Sequence, residues 1–492
     1  MGSIGKLYGT SLALLSDLYE LTMAYGYWKE GMGSRQAVFN AFFRECPFGG
    51  GYAIACGLEN VVEYLEGLAF TDADLEYLAR QTGNDDRPLF DEGFLEALRT
   101  LRFACDVDAV PEGTLVFPNE PMVRVRGPLM QAQFLETTLL TLMNFETLIA
   151  TKASRVVRAA GGDAVLEFGL RRAQGPDGGV SEARAALVGG CHSTSNVLAG
   201  KLFDVPLSGT HAHSWVMAHD SEREAFEAWA RAMPNNAIFL VDTYDTLEGV
   251  RRAIRVGREL EERGHRMVGV RLDSGDMAEL SIESRRLLDE AGFGDAKVVA
   301  SGELDEHAIE DLRRRGARID VYGVGTKLAT AADDPALGGV YKITAVQGAD
   351  GRWRDRIKLS EEAVKTSTPG VQQIRRFFRD GRMLGDLLWD ERLGIGDAPE
   401  GRAIDDPART VDVSEADASE DLLVPVFREG RFVGERPPVA EIAARAARHL
   451  EGLPERHQAF RDAPAYPGGL ETGLAEVRER LRRELGGGEP SP

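Results

Sequence analysis

Cysteine, net positive charge and long apolar runs are all in short supply in this chain of 492 residues. Its four cysteines, Cys46, Cys56, Cys105 and Cys191, are scattered with no paired short spacing. Neither a disulfide framework nor a zinc ribbon is indicated, and a reducing compartment fits. Against 79 acidic residues stand 58 basic ones, a net charge of -21. That excludes a general nucleic-acid or anionic-membrane surface, because phosphate binding needs the opposite field. The first apolar stretch, residues 12–28, is interrupted by Asp17 and Glu20, so it reads as an amphipathic helix and not a membrane span. Residues 1–6 lack the charged-then-apolar pattern of a signal peptide, and a cytoplasmic location is expected. The glycine-rich turn at residues 47–52 has no P-loop lysine or strand–helix fingerprint, so a plain turn is expected there.

What is present is enough material for two or three soluble domains. A first helix is expected over residues 11–31, with Tyr25, Tyr27 and Trp28 turned to the core. A strand follows at 38–43, then helical patterns within 56–105, then proline-punctuated strands at 106–109, 114–117 and 122–126. Residues 129–159 read as long helix. From about residue 163 the pattern becomes regular. Apolar runs of strand length at 164–168, 202–207, 237–241, 267–272, 296–300 and 319–324 alternate with helical stretches at 221–233, 246–263, 278–291 and 306–315. Such alternation implies a parallel sheet covered by helices. Without a dinucleotide fingerprint it points to a closed or nearly closed β/α barrel, with an open doubly wound sheet as the alternative. After residue 347 regularity is lost: strand-turn-strand at 377–387, a surface loop at 399–418, helix at 438–484 and a frayed tail at 486–492.

In parallel β/α architectures ligands bind at the carboxyl ends of strands, and here those ends are polar in six places. They carry Phe168 to Arg172, Ser208 to Trp215, Asp242 to Asp245, Arg271 to Asp276, Ser301 to Glu303, and Gly323 to Thr326. Gly302, Gly323 and Gly325 let backbone N–H groups approach phosphate, with Ser301 and Thr326 adding hydroxyls. Asp273 and Asp276 are candidates to hold Mg²⁺ through water, with helix capping as the competing role. Arg271 is suited to pair a planar carboxylate, against a structural salt bridge to Asp273 or Asp242. The stretch Ser208-Gly209-Thr210-His211-Ala212-His213-Ser214-Trp215 holds two of the eight histidines. A histidine there can serve as acid, base, nucleophile or metal ligand.

Several of these stretches together resemble the nicotinate phosphoribosyltransferase family: Leu15-Ser16-Asp17-Leu18-Tyr19-Glu20-Leu21-Thr22-Met23, Glu167-Phe168-Gly169-Leu170-Arg171-Arg172, Gly209-Thr210-His211-Ala212-His213-Ser214, Arg271-Leu272-Asp273-Ser274-Gly275-Asp276 and Gly323-Val324-Gly325-Thr326. The match runs in order from about residue 12 to 370. It implies an α/β fold, an irregular β/α barrel with an α+β domain built from N-terminal and C-terminal segments. The expected division is residues 1–145, a barrel over 146–370, and C-terminal segments over 371–492 packing with the N-terminal domain. The resemblance also implies joining of nicotinate to 5-phosphoribosyl-1-pyrophosphate with coupled ATP hydrolysis, Mg²⁺ as cofactor, and a homodimer with interfacial sites. By that resemblance His213 is the transiently phosphorylated residue. Tyr19 (offered across the dimer), Thr210 and Arg271 contact nicotinate, Phe168 and Arg171 belong to its pocket, and Thr326 contacts the phosphoribosyl group. His211 fills the motif's variable slot and receives no catalytic role. Three rivals remain: a metal-dependent hydrolase using His211, His213 and Asp273 as ligands, a non-catalytic nucleotide sensor, and an enzyme for another pyridine base.

Overall fold

The computed structural model describes residues 7–360, 366–396, 399–404, 406 and 408–486. The expectations for residues 1–6 and most of the tail lie outside them. The chain forms two units, residues 1–148 with 336–492, and residues 149–335.

In the first unit the strand Gln36–Phe43 is buried along 37–43. Both its edges are filled, by Val123–Pro128 on one side and Gly339–Gln347 on the other, both antiparallel. The seven-stranded sheet continues through Asp106–Ala109 to Val424–Arg428 and Arg431–Phe432. The expected domain limit at residue 370 is therefore displaced. Residues 336–370 belong with the N-terminal sheet, because Gly339–Gln347 finds its partner some three hundred positions earlier. The expected first helix is shorter, Leu18–Lys29. Tyr25 and Trp28 pack with Phe94 at ring separations of 5.2 and 5.9 Å.

A second sheet in this unit contains the hairpin of Gln372–Arg379 and Arg382–Asp390. Asp380 and Gly381 turn it with φ of 50° and 73°, the paired positive angles that a two-residue hairpin loop demands. Two expectations fail here. The loop at 399–418 contains the strands Gly401–Ala403 and Thr410–Val411, and the helix at 438–484 is divided by the strand Gly468–Glu471. That strand is apolar at Leu470 and runs parallel to Arg382–Asp390.

The second unit carries the regular alternation. Its strands are β1 (Ala164–Glu167), β2 (Ser193–Thr194), β3 (Ile238–Leu240), β4 (Gly269–Leu272), β5 (Lys297–Gly302) and β6 (Val321–Val324). All pairings are parallel and the order is β2-β1-β6-β5-β4-β3. That is the cyclic order of a β/α barrel, with β1 laddered to β6 and the ladder open only between β2 and β3. The helices Glu222–Ala232, Thr246–Glu262, Met277–Glu290 and Glu306–Arg314 match the expected stretches closely. Phe226, Phe239, Val250, Leu260, Val270 and Leu272 form the buried layer between strands and helices.

The strand expected at 202–207 does not form. Asn196 accepts backbone N–H bonds from Leu198 and Ala199 and starts the helix Val197–Phe203, which ends at Asp204 with φ 51°. Only Leu207 remains extended, as an isolated parallel bridge to Thr194. The seam is then crossed by side chains: the Leu240 N–H donates to His211 Nε2 at 3.3 Å, and Asn236 Nδ2 donates to the Gly209 carbonyl at 3.3 Å. The ring is complete in order but not closed as a ladder.

This seam has a pH consequence. His211 is 5% exposed and packs edge-on to Trp229, with ring centroids 5.1 Å apart. Burial, reinforced by the Arg271 charge, holds its imidazole down at about 4. A neutral ring is required, since only an unprotonated Nε2 accepts the Leu240 N–H. A folded-state value below the unfolded one means stability present above about pH 6.5 and lost as pH falls toward about 4, at most about 3 kcal/mol. Urea unfolding at stepped pH is expected to show this slope in the wild type and a shallower one in His211→Gln.

Candidate active site

Strand parity decides which side chains enter the ring. In β4, Val270 and Leu272 face the helices, so Arg271 between them points inward. The register pairs Val299 with Arg271, so Ser301, two residues on, shares its face. The same parity places Asp242 just past β3, and Phe168 just past β1, on the ligand side.

The guanidinium of Arg271 is held on three sides. Its Nε donates to Ser301 Oγ at 2.8 Å, Nη1 to Thr210 Oγ1 at 2.8 Å, and Nη2 to Asp273 Oδ1 at 2.9 Å. Three of its five donors are used, leaving one N–H on each terminal nitrogen for a ligand. Phe168 lies 5.9 Å from the guanidinium carbon. A Cβ on Gly323 would come within 2.7 Å of the Phe168 ring, so this glycine makes room for the aromatic face.

His213 opens the short helix His213–Met217 and is half-exposed. Its Nδ1 meets Thr243 Oγ1 at 3.2 Å, while Nε2 faces Asp273 Oδ2 at 3.8 Å and Asp242 Oδ1 at 4.0 Å. Burial acts to raise the Asp273 carboxyl. Hydrogen bonds from Ser301 and Arg271, with the Arg271 charge, outweigh it and hold the group below the usual carboxylate range. Asp242 is bound through one oxygen only: Oδ2 accepts the Asp273 N–H at 3.1 Å and the Ser274 hydroxyl. Its buried Oδ1 has no hydrogen-bond donor. That bare oxygen, close to His213 and Asp273, is a fit for a hard divalent cation.

The structure thus brings together Phe168, Thr210, His213, Arg271, Asp273, Ser301 and Gly323. Ser301 and Gly323, expected at a phosphate, are instead committed to Arg271 and Phe168. Gly302, with φ 121° and the space for a Cβ limited by the Asp273 carbonyl at 3.0 Å, is paired with Val324 at the end of β5. Gly325 follows β6, and Thr326 begins the next turn of helix. Arg171 is exposed in the turn Leu170–Arg172, with no ion-pair partner among the described residues. Tyr19, 45% exposed, belongs to the other unit. Asp276 is removed from the cation candidates: it caps the helix Met277–Glu290 and pairs with Arg315 at 2.6 Å. Asp242 takes its place, and Thr243 is the partner of His213. Both stand in the strand end Asp242 to Asp245, where the residue types alone do not separate a site carboxylate from a cap such as Asp245.

The hydrolase alternative fails on geometry. His211 Nε2 is occupied by the Leu240 N–H inside the seam, whereas His213 turns to the carboxylates, so the two rings do not converge on one ion. Among the described residues the one group of three close ligand types is buried Cys56, Glu112 and Glu146 in the other unit, where the Gly57 N–H donates to Glu112 at 2.7 Å. No described helix is long and apolar enough to cross a membrane.

Comparison with known proteins gives the family. Family models for the nicotinate phosphoribosyltransferase N-terminal domain, family and C-terminal domain match residues 14–144, 164–355 and 371–478. A nicotinate phosphoribosyltransferase of Bacillus subtilis is 43% identical over 491 residues, covering 96% of this chain and 98% of that protein. The Homo sapiens enzyme of that name is 35% identical, with 92% of this chain and 93% of that protein covered. The crystal structure of human nicotinic acid phosphoribosyltransferase superposes with a TM-score of 0.83 at 33% identity, over 95% of this chain and 99% of that one. A nicotinate-nucleotide pyrophosphorylase from Pyrococcus furiosus shares the fold, at a TM-score of 0.70 and 21% identity. With these matches running along nearly its whole length, the chain belongs to the nicotinate phosphoribosyltransferase family.

Proposed function

We propose that this protein joins nicotinate to 5-phosphoribosyl-1-pyrophosphate, giving nicotinate mononucleotide and pyrophosphate, and couples that reaction to ATP hydrolysis as a ligase-class enzyme. The observation that carries the reading is Arg271, pinned by Ser301, Thr210 and Asp273 with two donors to spare and the Phe168 ring beside it. A flat anion such as a pyridine carboxylate meets both needs, a fork for the carboxylate and a face for the ring. The pyridine nitrogen displaces pyrophosphate at the ribose anomeric carbon through an oxocarbenium-like state, so positioning and charge matter more than a protein nucleophile on the sugar. Gly302, Gly325 and Thr326 form the phosphate end.

His213 is the phosphoryl acceptor in this reading. If its Nδ1–H donates to Thr243, the lone pair on Nε2 is free to attack the γ-phosphorus of ATP. An N–P bond forms there as the bond to the ADP oxygen breaks. Asp242 and Asp273 would hold Mg²⁺, which when bound supplies charge neutralisation for the phosphates. Exposed Leu18, Tyr19 and Met23 on the helix Leu18–Lys29, and Val197, Leu198 and Leu202 on Val197–Phe203, are the apolar faces that a second copy would cover. The homodimer, and Tyr19 as a ring offered across it, rest on those faces and on the resemblance. The function is tested by incubating the protein with Mg²⁺, 5-phosphoribosyl-1-pyrophosphate and nicotinate, nicotinamide or quinolinate, with and without ATP. Nicotinate mononucleotide formed preferentially, and faster with ATP, is expected; turnover of another base alone contradicts it.

A further inference from the structure

Directly beneath the Phe168 turn lies a buried pair of acids that the chemistry above does not use. Glu167 ends β1 and Glu182 stands on the helix Gly175–Val188, and both are 0% exposed. Glu167 is well served: its carboxylate accepts the Gly169 N–H and the Thr194 hydroxyl. Glu182 is not, since neither of its oxygens meets a donor. The charged neighbour acting on it is Glu167, and Oε1 of Glu182 and Oε1 of Glu167 lie 3.0 and 3.1 Å from the same point beside Gly169. Cys191 completes the pocket, and burial together with both glutamates keeps its thiol protonated. Two ionised carboxylates side by side and both fully buried repel each other strongly in the low-dielectric interior. One proton between them turns Glu182 into the missing donor and leaves a single charge, which the Gly169 N–H and Thr194 already stabilise.

The pair touches the ligand turn. A Cβ added to Gly169 would lie 3.0 Å from Glu182 Oε1, 3.1 Å from Glu167 Oε1 and 2.4 Å from Ala329 Cβ, so the backbone of residue 169 rests on the two carboxyls. Gly169 follows Phe168, whose own N–H is fixed to the Val324 carbonyl at 2.8 Å, and its carbonyl accepts the Arg172 N–H at 2.7 Å.

We propose that Glu182 and Glu167 share one proton beneath Gly169, and that this carboxyl–carboxylate pair is the positioning device that sets the Phe168 ring and the Arg171 turn for the pyridine carboxylate. The proposal rests on the reading of Phe168 as the base-stacking residue. Its pH sign is fixed by burial and by Glu167, which together raise the Glu182 carboxyl well above the usual range. A group raised in the folded state holds its contribution at low pH and loses it as pH rises. Alkaline conditions would remove the proton to solvent, create two adjacent charges and dislodge the Gly169 backbone.

The test compares wild type with Glu182→Gln, whose amide donates permanently, and Glu182→Ala. Nicotinate KM in the wild type is expected to climb about tenfold across the alkaline limb, while KM for 5-phosphoribosyl-1-pyrophosphate stays level. Glu182→Gln should stay near the wild type's low-pH value throughout, and Glu182→Ala should be raised at every pH. Identical pH profiles in wild type and Glu182→Gln overturn the proposal. Infrared difference spectra of ligand-free wild type with labelled glutamate keep the two readings apart. A protonated-carboxyl band that Glu182→Gln removes supports the shared proton even where nicotinate is not turned over. No such band in the wild type overturns it whatever the substrate proves to be.

Discussion

Replacing Arg271 with alanine is expected to lower kcat/KM for nicotinate on the order of a hundredfold, mostly through KM, with a much smaller effect on KM for ATP. The magnitude follows from two losses. The charge-assisted fork to the pyridine carboxylate disappears, and Asp273, Ser301 and Thr210 lose the donor that links them. Arg271→Lys is expected to rescue little, because one ammonium does not reproduce three fixed partners and two free donors in a plane. Steady-state kinetics on the three proteins, varying each substrate in turn, separates the cases. Equal losses for nicotinate and ATP would mean that the guanidinium serves the frame of the site and not the carboxylate.

The second large effect concerns His213. His213→Ala should abolish ATP stimulation and ATP hydrolysis while slow, ATP-independent nucleotide synthesis survives, because the base and sugar contacts lie on other residues. A milder variant, Thr243→Val, removes the partner of Nδ1 while leaving the ring, and should weaken coupling by about tenfold or less. Side-by-side progress curves with and without ATP measure both. Coupling that persists in His213→Ala removes the proposed role.

Local pattern carried most of the second unit's strands, though it left the helix Gly175–Val188 unread. Four of its helices and five of its six strands fall where apolar periodicity places them, because each strand there is an apolar run bounded by polar turns. The exceptions share one cause, the dominance of distant or side-chain partners over local preference. Leu202 and Phe203 look strand-like, yet the Asn196 cap claims them for a helix, and Ser193–Thr194 becomes β2 without an apolar run of its own. Gly339–Gln347 looks like the end of the alternating region until its partner Gln36–Phe43 is known. At the site, Arg271, Thr210 and His213 were legible from the motifs that carry them. Asp242 was visible at a strand end only as a salt-bridge candidate for Arg271, because its distinguishing property is a bare buried oxygen, and that belongs to the folded state. Ser301 and Gly323 kept their place but serve different ends, since one braces the arginine and the other makes room for Phe168. His211, two positions before His213, holds the seam of the ring through Leu240.

In the proposed reaction His213 carries phosphate between ATP and the nucleotide-forming step. The most direct test of that role is a brief pulse of the Mg²⁺-loaded protein with γ-labelled ATP, followed by quenching in base and mapping of acid-labile label by mass spectrometry. Label is expected on the peptide bearing His213, at that imidazole, discharged when nicotinate and 5-phosphoribosyl-1-pyrophosphate are added. Label on another residue, or undiminished labelling of His213→Ala, would contradict it.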